Sequence, residues 1–424
     1  MKKMLLWVCI ILLYGCTQEK FEGKDLKIET RSASNIRTEE NVINIVNVLL
    51  PQINPSHSRS SNQSISKITP VCSHSGRSAS TDTLFYAVDL QEDGFVLVSA
   101  PLNVTPILGY AETGTFGNSE SLQNENFQYF LEYAENFVKS NTDAYSASPN
   151  SIVITPAFEY DTLTIHLNSE PKCKVKWNQM WPENQYCPNK IAGCGPVAFA
   201  QIMSFLKAPS EISLSYPGHD VDAIQINWNG IGKHVQSSNE MEPTETFIQN
   251  HLNNCSTSAE DHATLGRLIR EIGQRAFAIY RMYDTGTIID NMYQFAQSLY
   301  PTKQLIFRET FTSLYEDLNN TTTIAYIRGR DNDRGGHAWV ADGTMQIKTY
   351  VNYYESGTLK WSKDLHTDNY IHYNWGHGGN CNGYFLLGIF DTSKGTNITG
   401  PSISRNNEEG GNYENDVKYF TISK

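Results

Sequence analysis

The chain has 424 residues, enough for two or three domains that each have a full hydrophobic core. Its hydrophobic content of 39% and aromatic content of 11% are typical of a globular protein. The formal net charge of -12 and the scattering of Lys and Arg along the chain argue against nucleic acid as the main partner.

The first residues predict an export signal. Met1-Lys2-Lys3 is positively charged, and residues 4–13 form an apolar segment too short to span a bilayer. The segment ends in Gly15-Cys16, and a small residue followed by cysteine at this place resembles a bacterial lipobox. We therefore expect residues 1–16 to be a signal peptide, with lipidation of Cys16 and a location in the bacterial cell envelope, at the outer membrane or cell surface. An ordinary signal peptide that contains a cysteine is the alternative, and it also predicts export.

Residues 17–147 predict a small domain of helices and strands. Residues 40–50 have helical apolar spacing that Pro51 stops. Residues 83–88 and 95–100 flank an Asp-Gly turn and predict a β-hairpin, and residues 106–110 add a short strand.

The end of this domain is predicted from a helix and a linker. Apolar residues recur on one face of a helix over residues 121–138. Residues 140–151 are small and polar without periodicity, which predicts an exposed linker and places the domain boundary at residue 147.

The second domain, residues 148–424, is organised around Cys194. A strand is expected at residues 152–154, and the run after Cys194 is almost wholly apolar, as in a buried helix. Pro196 suits the first turn. A thiol at a helix start faces unpaired N–H groups and the positive end of the dipole, which lowers its pKa and favours the thiolate. A buried structural cysteine is the alternative interpretation.

The remaining elements predict the α+β class. A loop-rich region, residues 209–258, precedes two helices at residues 262–273 and 288–299. The spacing of apolar residues then changes to a period of two, as in strands. Strands are predicted at residues 305–307, 323–327, 337–341, 347–354, 370–375 and 384–387. Helices followed by a run of strands indicate an antiparallel sheet packed against the cysteine helix. The cysteines show no metal-ligand spacing, and a disulfide between Cys173 and Cys187 is left open.

A nucleophilic cysteine needs a base, a group that orients the base, and donors for the oxyanion. His337 follows two glycines at a strand start, Asn374 and Trp375 end another strand, and Gln179 precedes the cysteine helix. Each signal is weak alone, because each residue also has an ordinary structural explanation. The histidine can simply start a strand, the Asn-Trp pair can be a turn beside a core indole, and the glutamine can lie on the surface.

Together these residues give the chain order Gln179, Cys194, His337, Asn374, which resembles that of the papain-like cysteine peptidases. Longer blocks look like the streptopain family: residues 177–179, 193–194 with Ala-Gln-Ile-Met at 200–203, 336–343, 374–379 and 382–385. Residues 94–100 and 106–110 look like the pro-domain of that family.

The resemblance implies a papain-like endopeptidase domain at residues 148–424, made as a zymogen, with residues 17–147 as an inhibitory pro-domain. It implies Cys194 as nucleophile and His337 as general base and then acid. It also implies Gln179 at the oxyanion hole, Asn374 as the orienter of the imidazole, and Trp375 as the cover of that contact. Proteins or peptides are the expected substrates, and no metal or organic cofactor is needed.

Two positions depart from the family pattern. Gly195-Pro196 stands where the family often has Val-Ala, and His377 stands where a second Trp often follows. The first departure can alter the wall beside the nucleophile, and the second can alter substrate subsites.

Two other functions fit the same residues less well. An amidase or acyl transferase would use the same thiol with a different acceptor. A surface lipoprotein that binds peptides or proteases without catalysis would not need the four polar residues of the site.

Overall fold

The computed structural model describes residues 36–53, 65–72, 83–146, 162–234, 241–331, 335–355, 358–390 and 417–424. The predicted signal peptide with Cys16, the domain boundary at residue 147 and the strand at residues 152–154 lie outside these residues. Asn35–Lys424 group into one compact unit. Among the described residues, no helix combines the length and the apolar character needed to cross a membrane.

The N-terminal part contains three helices and four strands within the described residues. In chain order these are α1 (Glu39–Ile53), β1 (Ile65–Cys72), β2 (Thr83–Leu90), β3 (Phe95–Ser99), β4 (Ile107–Ala111), α2 (Ser119–Gln123) and α3 (Glu125–Ser146). The predicted first helix, hairpin and short strand are confirmed. Helix α1 continues through Pro51, because the hydrogen bond that a proline removes falls here in the last turn of the helix.

Helix α3 is longer than the sequence predicts. Residues 140–146, expected to be linker, form its last turns. The side chains of Asn141 and Thr142 donate to the carbonyls of Phe137 and Val138, one turn earlier, at 2.8 and 2.7 Å. The polar side chains are thus bonded within the helix, and composition alone does not reveal that the helix continues here.

The second part begins with helices and ends with strands. It contains β5 (Thr162–Ser169), α4 (Cys194–Leu206), β6 (Glu211–Ser213), β7 (Ala223–Gln225), α5 (Trp228–Ile231), α6 (Glu245–Asn254), α7 (Ala259–Arg275), β8 (Ile279–Tyr280), β9 (Thr285–Gly286), α8 (Ile289–Leu299), β10 (Leu305–Arg308), α9 (Leu314–Asn319), β11 (Thr323–Asp331), β12 (Gly335–Glu355), β13 (Thr358–Asn374), β14 (Gly383–Leu386) and β15 (Lys418–Ser423). Helix α6 lies in the region expected to be loop-rich. Only three of its ten residues, Phe247, Ile248 and Leu252, are apolar, and none is fully buried, so its sequence pattern is weak.

The two parts share one antiparallel sheet. Its strand order is β1-β2-β3-β4-β14-β13-β12-β11-β15-β10, and β5 pairs with β12 off this path. Strand β4 joins β14 with Gly109 opposite Phe385, Tyr110 opposite Tyr384, and Ala111 opposite Gly383. The predicted α+β class is confirmed, and the strands of the N-terminal part extend the sheet that carries His337 and Asn374.

The sheet has a different helical cover on each face. Trp339 and Ala341 of β12 pack with α1 and α3, whereas Ala338 and Val340 pack with α4, α7 and α8. This alternation follows from the period of two along a strand. The cysteine helix and the N-terminal part therefore lie on opposite faces of the strand that carries His337.

We expect Gly383→Ala to weaken the joint between β4 and β14. A Cβ at this position would overlap the carbonyl oxygen of Tyr110, so the two strands must separate locally. The free energy of unfolding should fall by about 1–3 kcal/mol, measured by urea denaturation in a Cys194→Ala background. Gly388→Ala is the control, because its Cβ would lie 3.8 Å from the Phe137 ring, an ordinary contact. Equal denaturation midpoints for the two variants would contradict the close approach at this joint.

Candidate active site

Helix α4 places Cys194 at its first position. Gly193 precedes it with a φ of 86°, in the left-handed region that favours glycine. A Cβ at Gly193 would collide with Thr285, and a Cβ at Gly195 would overlap the hydroxyl of Thr287. The space that Gly195 leaves beside the thiol is therefore filled by Thr287.

The pKa of Cys194 is raised, which contradicts the expectation from its position at a helix start. Burial is the main cause, and the carboxylate of Glu125 in α3 raises this pKa further. A backbone hydrogen bond at Ala338 and the Arg328 guanidinium lower it, but by less. The Sγ atom lies 3.8 Å from the carbonyl oxygen of Gly336. Desolvation thus outweighs the groups that favour the thiolate, which include a backbone hydrogen bond at Gly195 in the first turn of α4.

His337 lies on the face of β12 that α3 covers. Its ring centroid is 5.1 Å from that of Tyr129 in α3. Gly329, opposite His337 on β11, leaves room for the Tyr129 ring. The strand that carries His337 thus contacts the thiol at the carbonyl of Gly336, and the imidazole itself packs against Tyr129.

Asn374 makes its hydrogen bonds away from the imidazole. Its Nδ2 donates to the carbonyl of Val175 at 2.9 Å and lies 3.8 Å from the Sγ of Cys173. Its Oδ1 accepts from the N–H of Gly376 at 3.2 Å. The role of imidazole orienter is therefore not exercised in this arrangement and stays a prediction. Cys173 and Cys187 are both free thiols, so the disulfide left open is not formed.

Trp375 is fully buried, but α3 covers it. Its Nε1 donates to the carbonyl of Cys381 at 2.7 Å. Its ring lies 6.2 Å from that of Phe127 and 6.0 Å from that of Phe130. The indole is thus in place beside the site, packed against the N-terminal part.

Gln179 lies beside the start of α4. Its carbonyl accepts from the N–H of Ala192 at 3.1 Å, two positions before Cys194. Its Nε2 lies 3.4 Å from the Nε2 of His377, the residue that departs from the family pattern. Burial, and then the neighbouring His337, lower the pKa of His377 to about 4, so this ring is neutral at pH 7. His377 therefore belongs to the site itself.

The residues that the sequence analysis missed come from the start of α3. Asn126 is buried, and its Nδ2 donates to the carbonyls of Ala338 at 2.9 Å and Trp375 at 2.6 Å. From the same helix, Tyr129 packs on the His337 ring and the charge of Glu125 acts on Cys194. The sequence gives no distinct signal for Asn126, because it stands in a polar stretch, residues 123–126, beside the apolar face.

A second polar contact joins the two parts at His372. Its Nδ1 lies 2.6 Å from the Oδ1 of Asp342, and its Nε2 lies 3.8 Å from the Oε2 of Glu112, which follows β4. Burial alone would lower the pKa of His372, but the two carboxylates raise it to about 9. The ring is therefore charged at neutral pH between one carboxylate from each part.

Comparisons with known proteins match both parts of the chain. A sequence profile of the Peptidase C10 family matches residues 174–385, and a profile described as Spi protease inhibitor matches residues 34–138. The thiol protease/hemagglutinin PrtT of Porphyromonas gingivalis is 23% identical over 337 residues, which are 73% of this chain. The chain spans about a third of the length of that relative, 34%.

Two solved structures from Prevotella intermedia are also similar. A fragment of prointerpain A with a cysteine-to-alanine mutation has a TM-score of 0.48 and 17% identity, covering 84% of this chain and 97% of its own. Active wild-type interpain A has a TM-score of 0.34 and 15% identity, covering 63% of this chain and 97% of its own.

We expect the reactivity of Cys194 in the full-length protein to rise only at alkaline pH. The rate of alkylation by iodoacetamide, followed at this residue by peptide mass spectrometry, should reach half its maximum above the usual thiol pKa of about 8.5. Glu125→Gln should move the half-maximum to lower pH, because it removes the carboxylate that raises the pKa of Cys194.

The control is Glu135→Gln on the same helix, where the carboxylate pairs with Lys139 at 3.5 Å. Intact mass must confirm that the protein is unprocessed during the reaction. A rate that is already constant at neutral pH would show that the thiol is not held protonated.

Proposed function

Because the chain belongs to the Peptidase C10 family, we propose that it is the zymogen of a cysteine endopeptidase, held inactive by residues 17–147. The observation that carries this proposal is the position of α3. Its Tyr129 packs on the His337 ring at 5.1 Å, and the charge of Glu125 raises the pKa of Cys194. One helix thus contacts the candidate base and adds to the causes that raise the pKa of the candidate nucleophile.

Activation then requires α3 to leave. Once Tyr129 no longer packs on it, His337 can turn toward Cys194, and loss of the Glu125 carboxylate removes one cause of the raised thiol pKa. A thiolate and imidazolium pair forms, and each charge stabilises the other. Departure of Phe127 and Phe130 also uncovers Trp375, which is then available to cover a contact between Asn374 and His337.

The chemical steps follow from these groups. The Cys194 thiolate attacks the carbonyl carbon of the scissile peptide bond, and the oxyanion accepts from the Cys194 N–H and the Gln179 Nε2. His337 gives its proton to the leaving amine as the C–N bond breaks. A water molecule, deprotonated by His337, then hydrolyses the thioester and releases the acid product with the free thiol. None of these steps draws on a metal or cofactor.

The proposal extends to how the enzyme is made and where it works. Residues 1–16 direct export, Cys16 carries the lipid anchor, and the enzyme removes its own N-terminal part by a cut in the predicted linker, residues 140–151, of which residues 140–146 lie in α3. Lys172 and Lys174 are further candidate positions near the same boundary. Export and anchoring rest on the charged start, the short apolar segment and the lipobox-like Gly15-Cys16. Proteins or peptides outside the cytoplasm are the substrates.

Cys194→Ala should abolish peptide cleavage and leave the chain whole. The measurement is intact mass spectrometry of the protein lacking residues 1–16, incubated with reductant beside the wild type. Cys255→Ala is the matched control, since it removes another half-buried free thiol and should be processed normally. Normal processing of the Cys194→Ala protein, expressed alone, would refute self-activation.

We also expect Asn126→Ala to hasten activation. It leaves the carbonyls of Ala338 and Trp375 without their donor, which costs about 1–3 kcal/mol and shifts docking of α3 about 5- to 150-fold. The lag before cleavage of a fluorogenic peptide should shorten at least several-fold. Asn141→Ala on the same helix, which loses only a bond to the carbonyl of Phe137, should keep the lag of the wild type. An unchanged lag for Asn126→Ala would show that docking of α3 does not control activation.

A further inference from the structure

Three histidines converge at a place that the proposed reaction does not use. His234 follows α5, His251 belongs to α6, and His262 belongs to α7. One ring nitrogen from each lies within 4.8 Å of the other two. His234 and His262 are each only 2% exposed. Their spacing in the chain follows no metal-ligand signature, which is why the sequence analysis did not single them out.

The distances between the nitrogens suit a metal ion. The Nδ1 of His234 lies 3.1 Å from the Nε2 of His262. Two imidazole nitrogens bound to one tetrahedral Zn²⁺ at about 2.0–2.1 Å would be about 3.3 Å apart. The Nε2 of His251 is buried and has no hydrogen-bond partner among the described residues. A hydrogen-bonded pair of histidines would explain the 3.1 Å distance, but it leaves this third nitrogen unpaired.

The surroundings also have the features of a metal site. The carboxylate of Glu183, fully buried, lies with Oε1 3.5 Å from the Nε2 of His234, the nitrogen on the far side of the ring. Histidines that bind metals usually donate their second N–H to such a carboxylate, which orients the ring. The ring of Trp181 lies 5.3 Å from His251 and 5.4 Å from His262, so an indole covers the cluster.

We propose that His234, His251 and His262 bind one divalent transition-metal ion, with Zn²⁺ as the metal that this ligand set favours. Three imidazoles supply borderline nitrogen ligands, and a water molecule completes a tetrahedron. Glu183 holds His234 from outside the coordination sphere.

The metal would have a structural role. Glu183 also accepts from the N–H of Asn178 at 2.9 Å, and Asn178 accepts from the N–H of Gln179 at 2.6 Å. The ion therefore ties α6 and α7 to the loop that carries Gln179. This assignment does not depend on the proposed peptidase activity.

Zinc binding is tested on the full-length Cys194→Ala protein, in which the candidate nucleophile cannot capture the ion or cut the chain. Metal is removed with a chelator, and Zn²⁺ is titrated in competition with a chromophoric chelator, with the zinc content after dialysis measured by mass spectrometry. We expect one Zn²⁺ per chain and a higher Tm with zinc than without.

Added to this background, His251→Ala should weaken zinc binding at least 100-fold and remove the zinc-dependent rise in Tm, because it deletes a ligand. The matched control is His166→Ala, which removes an exposed histidine of β5 and should bind zinc as the parent does. Glu183→Gln should weaken binding about 10- to 100-fold. Helix α6 has no buried residue, so His251→Ala should fold, and circular dichroism checks this.

Either of two results would overturn the assignment: substoichiometric zinc in the parent, or equal affinity in the parent and the His251→Ala variant. A Co²⁺ spectrum of the parent keeps the proposal testable even if the variant misfolds. Visible bands of four-coordinate Co²⁺ without a sulfur-to-cobalt charge-transfer band are expected. A six-coordinate spectrum, or a sulfur band, would also exclude the histidine site.

Discussion

The side-chain amide of Asn126 is the contact on which the arrangement of the candidate active site depends. It donates to the carbonyls of Ala338 and Trp375, and so fixes the start of α3 to the strand ends that carry His337 and Asn374. Because α3 is fixed there, Tyr129 reaches the imidazole and the charge of Glu125 acts on the thiol. One buried amide therefore supports both the contact on the candidate base and one of the causes that raise the pKa of the candidate nucleophile.

Much of this site could be predicted from the sequence, because local patterns carry it. The apolar run after Cys194 predicts its helix, and alternation predicts the strand of His337. The features that the sequence could not predict depend on contacts between residues that are far apart in the chain. The raised pKa of Cys194 comes from burial and from a carboxylate 69 positions earlier in the chain, whereas the predicted lowering came from the local helix dipole. The bonds of Asn374 to Val175 and Gly376 likewise depend on how distant loops meet.

The histidine cluster shows the same limit. His234, His251 and His262 become neighbours only through tertiary contacts, in which His251 of α6 and His262 of α7 pack near the Trp181 ring. Helix α6 itself has only three apolar residues by which to predict it. Their link to the site is also a matter of tertiary contacts, since Glu183 and Asn178 connect the cluster to Gln179. Gln179, in the loop before α4, is thus held by two sets of contacts. Its carbonyl accepts from the N–H of Ala192, and its own N–H donates to Asn178, which is bonded to Glu183.

Under the proposed cleavage, the pairing of β4 with β14 has a consequence for the remaining domain. Removal of the N-terminal part strips three paired positions from Gly383, Tyr384 and Phe385 and turns β14 into the outermost strand of the remaining sheet. Unpaired backbone groups beside large aromatic side chains form a template for any extended chain of matching register. The excised fragment carries such a chain in β4, and it can return as a separate molecule. A second mature copy offers another such edge, so loss of the N-terminal part leaves β14 of each mature molecule available for strand pairing with its neighbour.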